Sequence, residues 1–181
     1  MKLSRFLLLL PLLSFSKCPM EPAPQFSLPP ATTEGANTMG FVVDGRTWGN
    51  YNGSYDGNSG PMAYYNRQSG QFSLEAVLYA KDVDEAFSLS IDSLRQAGTY
   101  PTTYRAEPGA TYRAARNLVF SANGSADIYS SQERGSVGSI TISRLDTVQR
   151  IVAGTFSGNL YRSGSRSKSV NISEGRFDLH Y

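Results

Sequence analysis

The chain has 181 residues but only one cysteine (Cys18), one histidine (His180), one tryptophan (Trp48) and four lysines. A single cysteine excludes an intrachain disulfide, so a fold exported to an oxidising compartment has to rest on its hydrophobic core. One cysteine and one histidine cannot supply a zinc site of the usual Cys/His kind. The calcium loop D-x-[DN]-x-[DN]-G is absent, so Asp82, Asp84 and Glu85, and the Asp56-Gly57-Asn58 run, read as charged turns. No metal and no cofactor is expected. No stretch of 10–12 residues carries a 3.6-residue apolar period, and Asp92 to Gln96 could form at most one helical turn.

Charge of one sign is missing as well. The formal net charge is +2, but residues 1–17 hold three basic residues (Lys2, Arg5, Lys17) and no acidic one. Beyond them, 14 of the 17 basic residues face 15 acidic ones. A nucleic-acid binder would show a basic stripe, and no nucleic-acid partner is expected.

The first residues carry a targeting pattern. Met1-Lys2-Leu3-Ser4-Arg5 precedes an apolar run of about ten residues, the form of a secretory signal. That run is shorter than the ~20 residues a membrane helix needs, and Pro11 interrupts it. Cys18 follows, then Pro19-Met20-Glu21-Pro22-Ala23-Pro24, an extended, proline-rich tether. A lone cysteine in this place resembles the lipidated first residue of a mature bacterial lipoprotein, although Lys17 stands where such signals carry a small residue. The expected organisation is a signal peptide over 1–17, a lipid-anchored tether and lead-in loop over 18–38, and an all-β domain over 39–181. The expected location is the cell envelope, lipid-anchored at the outer membrane.

Period-two alternation dominates the rest, which places one face of each strand in a core and the other in water. Phe72, Leu74, Ala76, Leu78 and Ala80 alternate, and Phe87, Leu89 and Ile91 follow as a hairpin partner across a polar Lys81–Glu85 turn. Asp44-Gly45 and Asn123-Gly124 are tight-turn signals. Tyr104–Ala106 and Tyr112–Ala115 are candidate strands. From Gly138 to the C-terminus three strands are expected, with Ile140 and Ile142, then Val152, Phe156 and Leu160, then Val170, Ile172, Phe177, Leu179 and Tyr181 inward. About nine short strands with little or no helix predict a single antiparallel β-sandwich or open barrel.

Several blocks together resemble a known family. They are the signal with Cys18, Leu28-Pro29-Pro30-Ala31-Thr32, the Gly40–Trp48 segment, and the closing ITISRLD, VAGTF and SEGRFDLHY. The resemblance is to a domain-of-unknown-function family of small lipoproteins from Bacteroidota-type Gram-negative bacteria. It implies an all-β envelope domain and carries over no catalytic residues.

For chemistry, His180 takes the parity opposite to its apolar neighbours and is expected to face solvent, away from the constrained position a catalytic base needs. Gly57-Asn58-Ser59-Gly60-Pro61 superficially matches a serine-protease nucleophile loop, but no histidine precedes it, and no G-x-S-x-G elbow occurs. No catalytic residue is assigned. Glu75, paired with Asp92, Glu107 or Asp127, is the candidate for a carboxylate hydrolase. Trp48, just after the first turn, is expected to cover one end of the core. Trp48, Tyr51, Tyr55, Tyr64 and Tyr65, set around the Gly/Asn-rich 49–60 loop, are also the candidate ligand-binding set, suited to stacking on a glycan or meeting another envelope protein, the alternative being tyrosines folded back over the core edge. Arg144 with Asp146, and Arg176 with Asp178, are expected as cross-strand ion-pair ladders. The function expected is a non-catalytic binding or structural domain. The alternatives are a small envelope hydrolase and a lipocalin-like barrel holding an apolar ligand.

Overall fold

The computed structural model describes residues 22–52, 60–102 and 116–181. Twelve strands appear among them: β1 (Thr38–Val43), β2 (Arg46–Gly49), β3 (Tyr51–Asn52), β4 (Met62–Asn66), β5 (Gln71–Ala80), β6 (Val83–Ile91), β7 (Gly98–Pro101), β8 (Arg116–Ala122), β9 (Asp127–Ser130), β10 (Val137–Asp146), β11 (Ile151–Arg162) and β12 (Ser165–His180). No helix occurs among the described residues, and Asp92–Ser93 is a turn. The candidate strands at 104–106 and 112–115 lie outside the described residues.

The strands form one sheet, antiparallel except where β3 runs parallel to β5. It has two arms. β7, β10, β11, β12, β1 and β2 lie side by side in one. β9, β8, β6 and β5 form the other, with β4 and β3 along the free side of β5. They meet where Tyr161 and Arg162, at the end of β11, pair with Ser130 and Tyr129 of β9, next to bulges in the β11–β12 register. Bulges bend a strand and raise its twist, which lets one arm turn over the other without the sheet closing.

The inner faces meet in a cluster of rings. Phe41 of β1 stacks on Trp48 of β2 at 4.6 Å and lies 4.9 Å from Phe87 of β6. Phe87 stacks on Phe156 of β11 at 4.7 Å, and Phe72 of β5 lies 6.0 Å from Phe177 of β12. These are spacings at which aromatic pairs attract beyond the area they bury. The lipocalin-like alternative needs a closed sheet around a cavity. Here the sheet is open and rings fill its centre.

Local chemistry sets the elements. β5 buries Phe72, Leu74, Ala76, Leu78 and Ala80 and leaves Gln71, Glu75 and Tyr79 exposed, as its alternation requires. Asp44 and Gly45 have φ of 48° and 82°, the doubly left-handed pair that closes a two-residue hairpin. The β5–β6 turn is only Lys81–Asp82, shorter than the five polar residues suggest, because Val83 already pairs with Ala80. The 49–60 loop is shorter at its start as well, since Tyr51 and Asn52 pair with Leu78 and Tyr79.

Candidate functional site

The expected aromatic set does not share one surface. Trp48 is 0% exposed, and its indole N–H donates to Glu85 Oε2 at 3.0 Å. It is therefore a core residue out of a ligand's reach. Both carboxylate oxygens of Glu85 also accept from Arg46 Nη2, each at 2.8 Å. Tyr51 is half-buried against the core. Tyr65 donates its hydroxyl to the Leu94 carbonyl at 3.0 Å and meets the Tyr181 ring edge-on. Tyr64 is 54% exposed. Tyr55 and Cys18 lie outside the described residues.

The carboxylates serve the fold. Glu75 is exposed on the outer face of β5, and Glu107 lies outside the described residues. Asp127 accepts from the Asn123 amide and pairs with Arg162, and chiefly the Asn123 bond holds its carboxyl below the usual value. That is the opposite of the raised value a general acid requires. Among the described residues, no group of three or more His, Cys, Asp or Glu stands close enough to hold a metal ion. His180 is exposed.

The ion-pair ladders are replaced by a different arrangement. The register Arg144–Ala153–Asp178 places the two charged residues on β10 and β12 with buried Ala153 between them. Arg144 pairs with Asp146 on its own strand at 2.7 Å, and Arg176 pairs with Glu174. Among the described residues, Asp178 forms no ion pair with an arginine. It points to the outer face yet is 1% exposed, because residues 32–36 lie over it. The Thr32 hydroxyl (2.7 Å) and the backbone N–H groups of Glu34 (2.9 Å), Gly35 (2.7 Å) and Ala36 (3.2 Å) all donate to its carboxylate. Successive N–H groups around an anion form a backbone nest. Burial pushes the Asp178 carboxyl up, but these four bonds outweigh it and hold it below the usual value. Arg144 donates to the Thr33 carbonyl beside it.

Residues 22–37 are thus a strap across the outside of the sheet. Gly40 and Gly49 are register partners on β1 and β2, and their missing side chains make room for it. A Cβ on Gly49 would stand 2.5 Å from the Phe26 ring, and one on Gly40 2.8 Å from Pro29 Cδ. Farther along, Gly35, with φ of 79°, rests against the His180 ring. Sequence reasoning missed this clasp. The available signal was an aspartate set between Phe177 and Leu179, together with a Gly35-Ala36 pair able to present consecutive N–H groups.

At the end of β10, Asp146 caps the next turn. Its Oδ1 accepts from the backbone N–H groups of Gln149 and Val148, and Arg144 donates to Oδ2. These bonds, the Gln149 one foremost, lower its pKa to about 2. The folded value lies below the unfolded one, so the cap is complete above pH ~4 and is lost as pH falls through the folded value. A carboxyl-carbon NMR titration should place the Asp146 midpoint near 2 and higher in Arg144→Ala. A midpoint at the ordinary aspartate value would contradict the capping geometry.

The outer face of β10, β11 and β12 carries two adjoining shallow depressions. One is lined by Ala31 of the strap with Thr155, Glu174 and Arg176, the other by Val137, Asn159, Asn171 and Ser173, and both share Ser139 and Ser157. A third lies between the strap and the start of the 49–60 loop, lined by Phe26, Pro29, Asn37, Met39, Asn50 and Pro61. The hydroxyls of Ser139, Thr155, Ser157 and Ser173 and the amides of Asn159 and Asn171 stand in the paired depressions beside the Glu174–Arg176 ion pair, so the polar part of the lining carries no net charge.

A family model described as a domain of unknown function (DUF6252) matches residues 58–178. ITISRLD, VAGTF and most of SEGRFDLHY fall inside that span, whereas the strap and the β1–β2 hairpin precede it. No curated protein and no solved structure matches the chain.

Proposed function

The chain belongs to the domain-of-unknown-function family DUF6252, and we propose that it is a lipid-anchored domain of the bacterial cell envelope that binds a neutral, hydroxyl-rich ligand such as a glycan without catalysis. The basic start, the apolar run and Cys18 support the anchor. The observation that carries the reading is the strap. The chain just downstream of Cys18 is fastened to the body by the Asp178 nest and by the Gly40–Gly49 groove, so an anchor there would hold the domain as one piece. The ligand class follows from the lining of the paired depressions on β10–β12, where hydroxyls and amides can exchange hydrogen bonds with sugar hydroxyls. The perturbed carboxylates Asp127, Asp146 and Asp178 are all lowered by bonds within the fold, which favours binding over acid–base chemistry.

Metabolic labelling with a lipid analogue in the native host should mark the wild type and leave Cys18→Ala unmarked, and equal labelling would sink the anchor. On a glycan array, Asn159→Ala/Asn171→Ala should lose at least tenfold in signal while keeping the wild-type melting temperature. A signal equal to wild type would remove the outer face as the ligand site.

A further inference from the structure

We infer that the domain stands with the Lys81–Asp82 end of the sandwich against the lipid headgroup surface and the Tyr181 end directed away from it. This rests on the lipid-anchored reading of Cys18. The strap starts at one end of the sandwich and nowhere else. Pro22 makes a parallel bridge with Lys81, at the turn between β5 and β6. From there the strap crosses Gly49 and Gly40 and is clasped at Asp178, so none of it is free to extend the tether.

The chain outside the strap is short. Cys18 precedes Pro22 by four residues, which reach about 14 Å when fully extended. β5 has ten residues, about 33 Å of strand. A tether less than half as long as the strand beside it cannot carry the far end of the domain to the bilayer while the near end points outward.

The same end gathers other turns. The Gly124 N–H donates to the Asp84 carbonyl at 3.2 Å and the Ser163 N–H to the Ile128 carbonyl at 2.7 Å. Arg46 beside the Asp44-Gly45 turn pairs with Glu85. These turns form the membrane-apposed surface. At the opposite end, Tyr181 donates to the Asp146 carbonyl and meets Tyr65, and Val148 is 89% exposed. That turn stands farthest from the lipid.

Spin labels at Lys81→Cys and Val148→Cys in the full lipidated chain test this, since acylated Cys18 has no free thiol. The chains are reconstituted into phosphatidylethanolamine/phosphatidylglycerol vesicles containing a nickel-chelating lipid, whose paramagnetic headgroup relaxes nearby labels. The label at position 81 should relax at least threefold more than the label at 148. A flexible twenty-residue insertion after Met20 should erase that difference. Equal relaxation at both sites of the uninserted chain, or stronger relaxation at 148, overturns the orientation. The mass of the N-terminal fragment from the same samples separates the two readings. A lipidated fragment with equal relaxation refutes the orientation alone, and an unlipidated fragment refutes both.

Discussion

Replacing Asp178 with alanine should lower the melting temperature by about 6–12 °C and open residues 32–36 to proteolysis and rapid amide exchange. The carboxylate is 1% exposed and receives four donors, three of them backbone N–H groups of the strap. Removing an acceptor strands its donors, at about 1–3 kcal/mol for each one kept from water. Glu34 and Ala36 are exposed, so water relieves part of this and the loss settles near ~3 kcal/mol. For a chain of this size, each kcal/mol moves the midpoint by roughly 2–4 °C. Asp178→Asn should do nearly as much damage, because its NH2 group would face N–H donors. A melting temperature within 2 °C of wild type for the alanine variant would show that the strap is held without the Asp178 nest, by Phe26, Pro29 and the Arg144–Thr33 bond.

The same nest gives an acid signature. The Asp178 carboxyl lies below its ordinary value when folded. Its contribution is therefore present at neutral pH and disappears as the solution is acidified through the folded value. Strap amides should gain exchange at acid pH relative to core amides in the wild type, and Asp178→Ala should show no such added step.

The strands were the legible part of this chain. In β5 every second residue is apolar along the whole strand, in β6 from Phe87 to Ile91, and the burial follows that pattern. Alternation assigns a side chain to a face, but it does not say what covers the face. Asp178 reads as an outer residue and is one, yet it is buried because the strap, with no periodicity of its own, lies on it. Ile151 and Ala153 are buried on the same outer face. Trp48 is the opposite case, since its expected place over one end of the core holds and its place in a ligand-binding set does not. Its place next to a tyrosine-bearing loop suggested a binding surface, while its register opposite Phe41 put it in the core. Gly40 and Gly49 show the limit most plainly. Their role is the space they leave, which is visible only once Phe26 and Pro29 occupy it.

The aromatic core sets the second large effect. Phe41→Ala should cost about 4 kcal/mol, or roughly 8–16 °C in melting temperature, a large part of the 5–15 kcal/mol that holds a typical domain folded. Phe41 is 0% exposed and lies within 4.6 Å of Trp48, 4.9 Å of Phe87, 5.7 Å of Phe156 and 6.3 Å of Phe120, centroid to centroid. Those partners come from both arms of the sheet, so the ring is where one arm rests on the other. Alanine leaves a void that flat β-strands, tied by their ladders, cannot collapse to fill. Phe41→Leu keeps much of the volume and should cost about 1–2 kcal/mol. Tyr64→Ala, on the exposed outer face, should stay within about 0.5 kcal/mol of wild type. Trp48 reports on the site directly, since it stacks on Phe41. Its emission should shift to the red in Phe41→Ala before global unfolding, and remain unmoved in Tyr64→Ala. If Phe41→Ala melts no lower than Phe41→Leu, the two arms do not depend on this ring for their contact. The packing of Phe87 on Phe156 and of Phe72 on Phe177 would then have to hold them together.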